Sequence, residues 1–129
     1  MGLKVLLVDD SETVRAVMAK TFELAGLDIE AVHHAANGKE ALAVLRQESV
    51  DLVFTDINMP VMGGVEMLET MKQDSALANI PVVIVSTEGS ATRVDQLKEK
   101  GVSAYVRKPF TPEGLREVID SIIGDSNGS

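Results

Sequence analysis

Five positions along this chain carry polar residues at the ends of apolar runs, and their types suggest phosphoryl chemistry. Asp9 and Asp10 follow the run 3 to 8, Asp56 closes the run 51 to 56 and is followed by Ile57-Asn58, Ser86 closes the run 81 to 86, and Lys108-Pro109 follows the run 103 to 107. If those runs are parallel strands, all five positions face one crevice, because ligands in open α/β sheets bind beyond the carboxyl ends of the strands. Carboxylates gathered there repel one another, by about 4 kcal/mol for a pair 4 Å apart at an effective dielectric of about 20. A cation must offset this. Oxygen donors without Cys or His suit a hard ion such as Mg²⁺, which takes one or two carboxylates, waters and a phosphate oxygen. Lys108 adds a second positive charge. A metal and a lysine beside a carboxylate are what phosphoryl transfer requires, since its catalysis is mainly in-line positioning and charge neutralisation, and Asp56 then becomes the nucleophile.

Taken singly, each residue has a plainer explanation. An Asp-Asp pair before a helix ordinarily caps it, a lone Ser is a turn residue, and a lone Lys is a solvated charge. Their succession after consecutive apolar runs, as Val-Asp-Asp, Asp-Ile-Asn-Met-Pro, Ser-Thr and Lys-Pro-Phe, favours the shared site.

Positioning such a site requires five strands alternating with five helices, and the apolar pattern supplies them. Strands are expected at 3 to 8, 29 to 35, 51 to 56, 81 to 86 and 103 to 107. The first helix follows Ser11, buries Val14, Val17, Met18, Thr21 and Ala25 at helical spacing, and ends at Gly26. Asn37 caps the second, with Glu40 reaching back and a buried stripe of Ala41, Leu42 and Leu45. The third follows Gly63-Gly64, and the fifth opens at Thr111-Pro112 with Leu115, Val118, Ile119 and Ile122 inward. The fourth, from Ser90 to Lys100, has only Ala91, Val94 and Leu97 to bury, so it is expected to be the most loosely held. Val5–Val8, Leu52–Phe54 and Val82–Val85 are apolar throughout and read as central strands, while the second and fifth runs carry polar residues and read as edges. With right-handed crossovers this gives a doubly wound α/β fold: a five-stranded parallel sheet in the order 2-1-3-4-5, flanked by five helices.

Composition narrows the classes of function. A chain of 129 residues suits one domain. It has no Cys, which excludes disulfides, thiolate metal sites and a Cys nucleophile. The net charge of -8 offers no basis for holding nucleic acid or an anionic membrane. No apolar stretch approaches the roughly 18 residues of a bilayer span, and no export signal opens the chain, so a cytoplasmic location is expected. His33 and His34 are adjacent on a strand, point to opposite faces and are expected to have no role. The methionines, among them Met59, Met62, Met67 and Met71, read as core fillers. The segment 124 to 129 is polar and glycine-rich and reads as a flexible tail.

From Leu3 to about Ile123 the chain resembles the receiver domain of two-component response regulators, in its stand-alone, CheY-like form. The resemblance implies a flavodoxin-like fold over residues 1 to 123 with no output domain. Asp9 and Asp10 match the family's acidic pair, Asp56 its phosphoacceptor, Ser86 its conserved hydroxyl, Tyr105 its switch aromatic and Lys108 its invariant lysine. Asn58 matches the residue whose backbone carbonyl completes the metal site, and Lys108-Pro109 the position of a cis bond. The implied protein is a switch, not an enzyme with a separate substrate, that catalyses its own Mg²⁺-dependent phosphorylation and dephosphorylation. A histidine kinase is the expected phosphodonor, and the target is a motor switch, phosphatase or phosphotransfer protein that reads a monomer. Asn58 and Glu88 match the polar pair of chemotaxis-type receivers, which implies rapid self-dephosphorylation. Gly63-Gly64 stands where the family often has Asp-Gly, and Ser86 where Thr is more frequent, which implies looser coupling.

Other classes fit less well. A phosphorelay intermediate shares every site residue and differs only in its partner. A haloacid-dehalogenase-type hydrolase also uses an Asp nucleophile and Mg²⁺, but wants an Asp where this chain has Asn58 and needs a longer chain for its cap. A flavodoxin-like flavin carrier needs an uncharged phosphate loop after the first strand, where this chain has Asp9-Asp10.

Overall fold

In a computed structural model, residues 2–86, 91–107 and 111–126 are described. Strands β1 (Leu3–Val8), β2 (Ile29–Ala35), β3 (Leu52–Thr55), β4 (Val82–Ser86) and β5 (Ala104–Arg107) alternate with helices α1 (Glu12–Leu24), α2 (Gly38–Gln47), α3 (Gly64–Lys72), α4 (Ala91–Glu99) and α5 (Pro112–Ser126). The strands form one sheet in the order β2-β1-β3-β4-β5, and all four pairings are parallel. This is the expected topology, with the two polar-containing runs at the edges. β3, β4 and β5 are each shorter than expected by a residue or two at their ends. Asp51 accepts the Lys4 N–H through its carboxylate at 2.9 Å, and the chain leaves the strand at Asp56 and bends at Ile57, although the Asp56 N–H still reaches the Val8 carbonyl at 3.0 Å.

Alternation along the strands divides the core in two. Leu6, Val8, Val53 and Ile84 point to one face, where Leu42, Leu45, Met67, Leu68, Met71 and Leu97 cover them. On the other face Val5, Leu7, Phe54, Val83 and Val85 meet Met18 and Phe22 of α1 and Leu115 and Ile119 of α5. Phe22 packs edge-on against Phe54 with ring centroids 5.1 Å apart, a geometry that favours the aromatic quadrupoles. Met67 and Met71 are buried, and Met59 and Met62 pack against the first cluster, as expected of core fillers.

One buried face differs from expectation. Val17 is 57% exposed, whereas Met18, Thr21, Phe22 and Ala25 are buried and Val14 is half-buried. The inward stripe of α1 is therefore centred on Met18 and Phe22. Val17, about 100° round the helix from Met18, is turned to solvent.

Helix ends follow the sequence closely. The Ser11 hydroxyl accepts the Val14 N–H at 3.2 Å, and Gly26 ends the first helical segment with φ of 69°. Asn37 Oδ1 accepts the Glu40 N–H at 2.9 Å. Glu40 reaches back to the Ala36 N–H and the Asn37 side-chain amide at 3.3 and 3.4 Å. Thr111 Oγ1 accepts the Gly114 N–H at 3.0 Å. α5 continues to Ser126, past the expected end near Ile123, because adding a residue to a formed helix costs little. At the C-terminal end of α4, Leu97 is buried and Lys100 pairs with Glu69 of α3 at 3.2 Å. The side chains of Ala91 and Val94 lie outside the described residues. Among the described residues no helix is long and apolar enough to cross a membrane.

Candidate functional site

β1 and β3 are neighbours, in register from Val5 opposite Leu52 to Val8 opposite Thr55, so their carboxyl ends deliver Asp9, Asp10 and Asp56 to one place. One carboxylate oxygen from each of the three lies within 4.8 Å of the others. Asp9 is buried, Asp10 exposed and Asp56 half-buried, which grades the site from the protein interior to solvent.

The local backbone holds this arrangement from several sides. The Asp9 N–H donates to the Ala35 carbonyl at 3.1 Å, tying the turn to β2. The Ser11 N–H donates to Asp9 Oδ1 at 2.9 Å, and Arg15 Nε donates to the Asp9 carbonyl at 3.0 Å. At Asp56, the Ile57 N–H donates to Oδ1 at 2.7 Å, while the buried Thr55 hydroxyl donates to the Asp56 carbonyl at 2.9 Å. After Asp56 the chain folds back tightly, and the Gly64 N–H donates to the Ile57 carbonyl at 2.8 Å.

Asn58 is exposed, two residues beyond Asp56 in the loop leading to α3. Ser86 is buried at the end of β4, where Thr55 of the neighbouring strand is opposite Ile84. Tyr105 on β5 is opposite Ile84 and Arg107 opposite Ser86, so the parallel register turns Tyr105, Ile84 and Ser86 to the same face. Tyr105 is half-buried against the α2–α3 side of the core, and its hydroxyl oxygen is buried without a hydrogen-bond partner among the described residues. Lys108, Pro109 and Glu88, expected at this end of the sheet, lie outside the described residues.

Five expected site residues, Asp9, Asp10, Asp56, Asn58 and Ser86, thus stand at the carboxyl end of the sheet, with Tyr105 one strand over. An all-oxygen donor set of three carboxylates fits a hard divalent cation. Neither histidine joins the cluster. His33 is half-buried and His34 exposed at the end of β2, and His34 is held below the ordinary imidazole value by partial burial and then by the nearby Arg15 charge, opposed by Glu12. Sequence reasoning missed two contributors, Thr55 and Arg15. Each acts through a backbone carbonyl of a site aspartate, and an apolar pattern does not encode such a contact.

Comparison with known proteins gives the family. The profile of the response regulator receiver domain matches residues 5–120. A chemotaxis protein CheY homolog of Campylobacter jejuni is 35% identical over 127 residues, covering 98% of this chain and 96% of that protein. The structure of chemotaxis response regulator CheY4 of Vibrio cholerae superposes with a TM-score of 0.83 at 34% identity, covering 95% of this chain and 99% of that one. The CheY of a CheX-CheY-BeF3-Mg complex from Borrelia burgdorferi superposes with a TM-score of 0.82 at 26% identity, covering 94% of this chain and 89% of the matched one. With its three carboxylates gathered where β1 and β3 end, this chain belongs to the response regulator receiver domains.

Proposed function

We propose that Asp56 accepts a phosphoryl group from the phosphohistidine of a histidine kinase, and that the resulting change of surface alters binding to a target protein in a chemotaxis-type pathway of the cytoplasm. The observation that carries this reading is the mutual approach of Asp9, Asp10 and Asp56 within 4.8 Å at the carboxyl ends of neighbouring strands.

Asp9, Asp10 and Asp56, with the Asn58 carbonyl, would hold Mg²⁺. The ion would neutralise charge on the transferring phosphoryl oxygens. An Asp56 carboxylate oxygen attacks phosphorus in line, the phosphorus–nitrogen bond of the donor breaks, and the electron pair returns to the imidazole. The product adds nearly two negative charges and three acceptor oxygens at Asp56. Ser86 and Lys108 are assigned to bind those oxygens, Ser86 through its hydroxyl and Lys108 as a cation.

Ser86 and Tyr105 face the same side of the sheet from adjacent strands, which supports a coupling between them. As Ser86 turns toward the phosphoryl group, Tyr105 repacks and changes the surface formed by α4, β5 and α5. Tyr105, whose buried hydroxyl has no hydrogen-bond partner among the described residues, is assigned as the side chain that moves. The match to chemotaxis proteins over nearly the whole chain supports a target such as a motor switch or a phosphatase, and the Borrelia complex supports a CheX-like protein among the partners. Asn58 and Glu88 are assigned to hasten loss of the phosphoryl group.

Incubation with acetyl phosphate and Mg²⁺ followed by intact-mass measurement tests the reading. Wild type gains one phosphoryl mass, while Asp56→Asn and wild type in EDTA do not. A variant phosphorylated as well as wild type would defeat it.

A further inference from the structure

Arg15 is half-buried on α1, and its Nε donates to the main-chain carbonyl of Asp9 at 3.0 Å. That carbonyl belongs to the peptide unit joining Asp9 to Asp10. Because the unit is planar, fixing the oxygen also fixes the direction of the Asp10 N–H and the place of the Asp10 α-carbon.

The two aspartates differ in what else holds them. Asp9 is buried, its N–H donates to Ala35 and its Oδ1 accepts from Ser11. Asp10 is exposed, so packing contributes little to its position. The two peptide units that flank Asp10 are held by the Ser11 N–H bond to Asp9 Oδ1 on one side and by the Arg15 bond to the Asp9 carbonyl on the other, and Asp10 lies within 4.8 Å of Asp9 and Asp56.

We infer that Arg15 is a positioning residue: its guanidinium locks the Asp9–Asp10 peptide plane and so holds the Asp10 carboxylate in the cation site. The inference rests on the reading of the three carboxylates as a Mg²⁺ site. Two effects of Arg15 oppose each other. Its positive charge repels an incoming cation, so by charge alone its removal would tighten Mg²⁺ binding. Its hydrogen bond preorganises a ligand, and loss of such an outer partner commonly weakens metal affinity by about tenfold or more. Orientation is expected to dominate, because the charge of a half-buried guanidinium is partly screened by water and salt.

The test is Mg²⁺ titration followed by the backbone amide resonances of ¹⁵N-labelled protein, for wild type, Arg15→Met, Arg15→Lys, Asp10→Asn and Arg15→Met combined with Asp10→Asn. Arg15→Met is expected to shift the Asp10 amide before any metal is added and to weaken Mg²⁺ about tenfold. Lysine keeps the charge without the fixed planar donor and should restore the affinity only in part. In the Asp10→Asn background, Arg15→Met should cause little further loss, since the ligand it positions is already gone. Unchanged or tighter binding by Arg15→Met, or equal losses with and without Asp10, would overturn the inference. If Arg15→Met does not give a folded spectrum, Arg15→Lys decides the question by the same comparison. Wild type that fails to bind Mg²⁺ at millimolar concentration would defeat the metal site itself, an outcome distinct from a site that binds without needing Arg15.

Discussion

Gly64 packs its α-carbon directly against the carbonyl of Asp56, so that a β-carbon there would overlap that oxygen and press on the carbonyl carbon and on Ile57. The first residue of α3 thereby braces the backbone of Asp56. Only hydrogen fits on that side.

Gly64→Ala is therefore expected to displace the Asp56–Ile57 segment or the start of α3. Overpacking of this kind costs about 1–3 kcal/mol, and the urea midpoint should fall accordingly. If Asp56 moves, phosphorylation by acetyl phosphate should slow as well. An unchanged midpoint would show that the loop yields freely.

Val61 is a β-branched residue with φ of 69°, 75% exposed, and the Met62 N–H donates across it to the Pro60 carbonyl at 2.8 Å. This is a γ-turn in its strained sense, disfavoured for a branched side chain. Val61→Gly should relieve more strain than it adds in unfolded-state entropy and raise stability by about 1 kcal/mol. Chemical denaturation measures the difference, and a lower midpoint for the variant would contradict it.

Tyr105→Phe removes a buried hydroxyl that has no hydrogen-bond partner among the described residues. Such a group costs about 1–3 kcal/mol when left unsatisfied. The phenylalanine variant should be more stable by about 1 kcal/mol in thermal or urea unfolding. A loss of stability would mean that the hydroxyl has a partner in solution.

His34 has its pKa lowered by partial burial first and by the Arg15 charge second, with His33 adding and Glu12 opposing. The unfolded chain therefore binds the proton more readily than the folded one. Stability from this group is complete above the ordinary value of 6.5 and is lost as the pH falls through the lower folded value. Between pH 7.5 and pH 5.5, to take a practical range of roughly one unit either side of the ordinary value, the melting temperature of His34→Gln should drop less than that of wild type. Equal drops would remove His34 from the pH dependence.

Much of the architecture was legible because the apolar runs differ in kind. Val5–Val8 and Val82–Val85 are apolar on both faces and had to be central, whereas Glu30 and His33 marked β2 as an edge. Ser11, Asn37 and Thr111 marked helix starts because each side chain satisfies an N–H that its helix leaves open. The site was legible for a related reason: residues that follow parallel strands must share one end of the sheet, whatever the details of packing.

Other features depended on distance through space. Val17 and Phe22 are both apolar at plausible helical positions, and only the meeting of Phe22 with Phe54 decides which of them turns inward. The loop glycines were legible as a turn, but not that Gly64 braces Asp56. Arg15 is one basic residue among several on an exposed helix until its Nε is found on the Asp9 carbonyl.

The sequence by itself determined the order of strands and helices and the residues that end the strands, because polarity alternation and cap chemistry are local properties of neighbouring residues. The tertiary structure decided which side of α1 is buried, how near the three aspartates stand, and what holds their backbone in place. Those outcomes depend on packing and hydrogen bonding between segments, which act only after the chain has closed on itself.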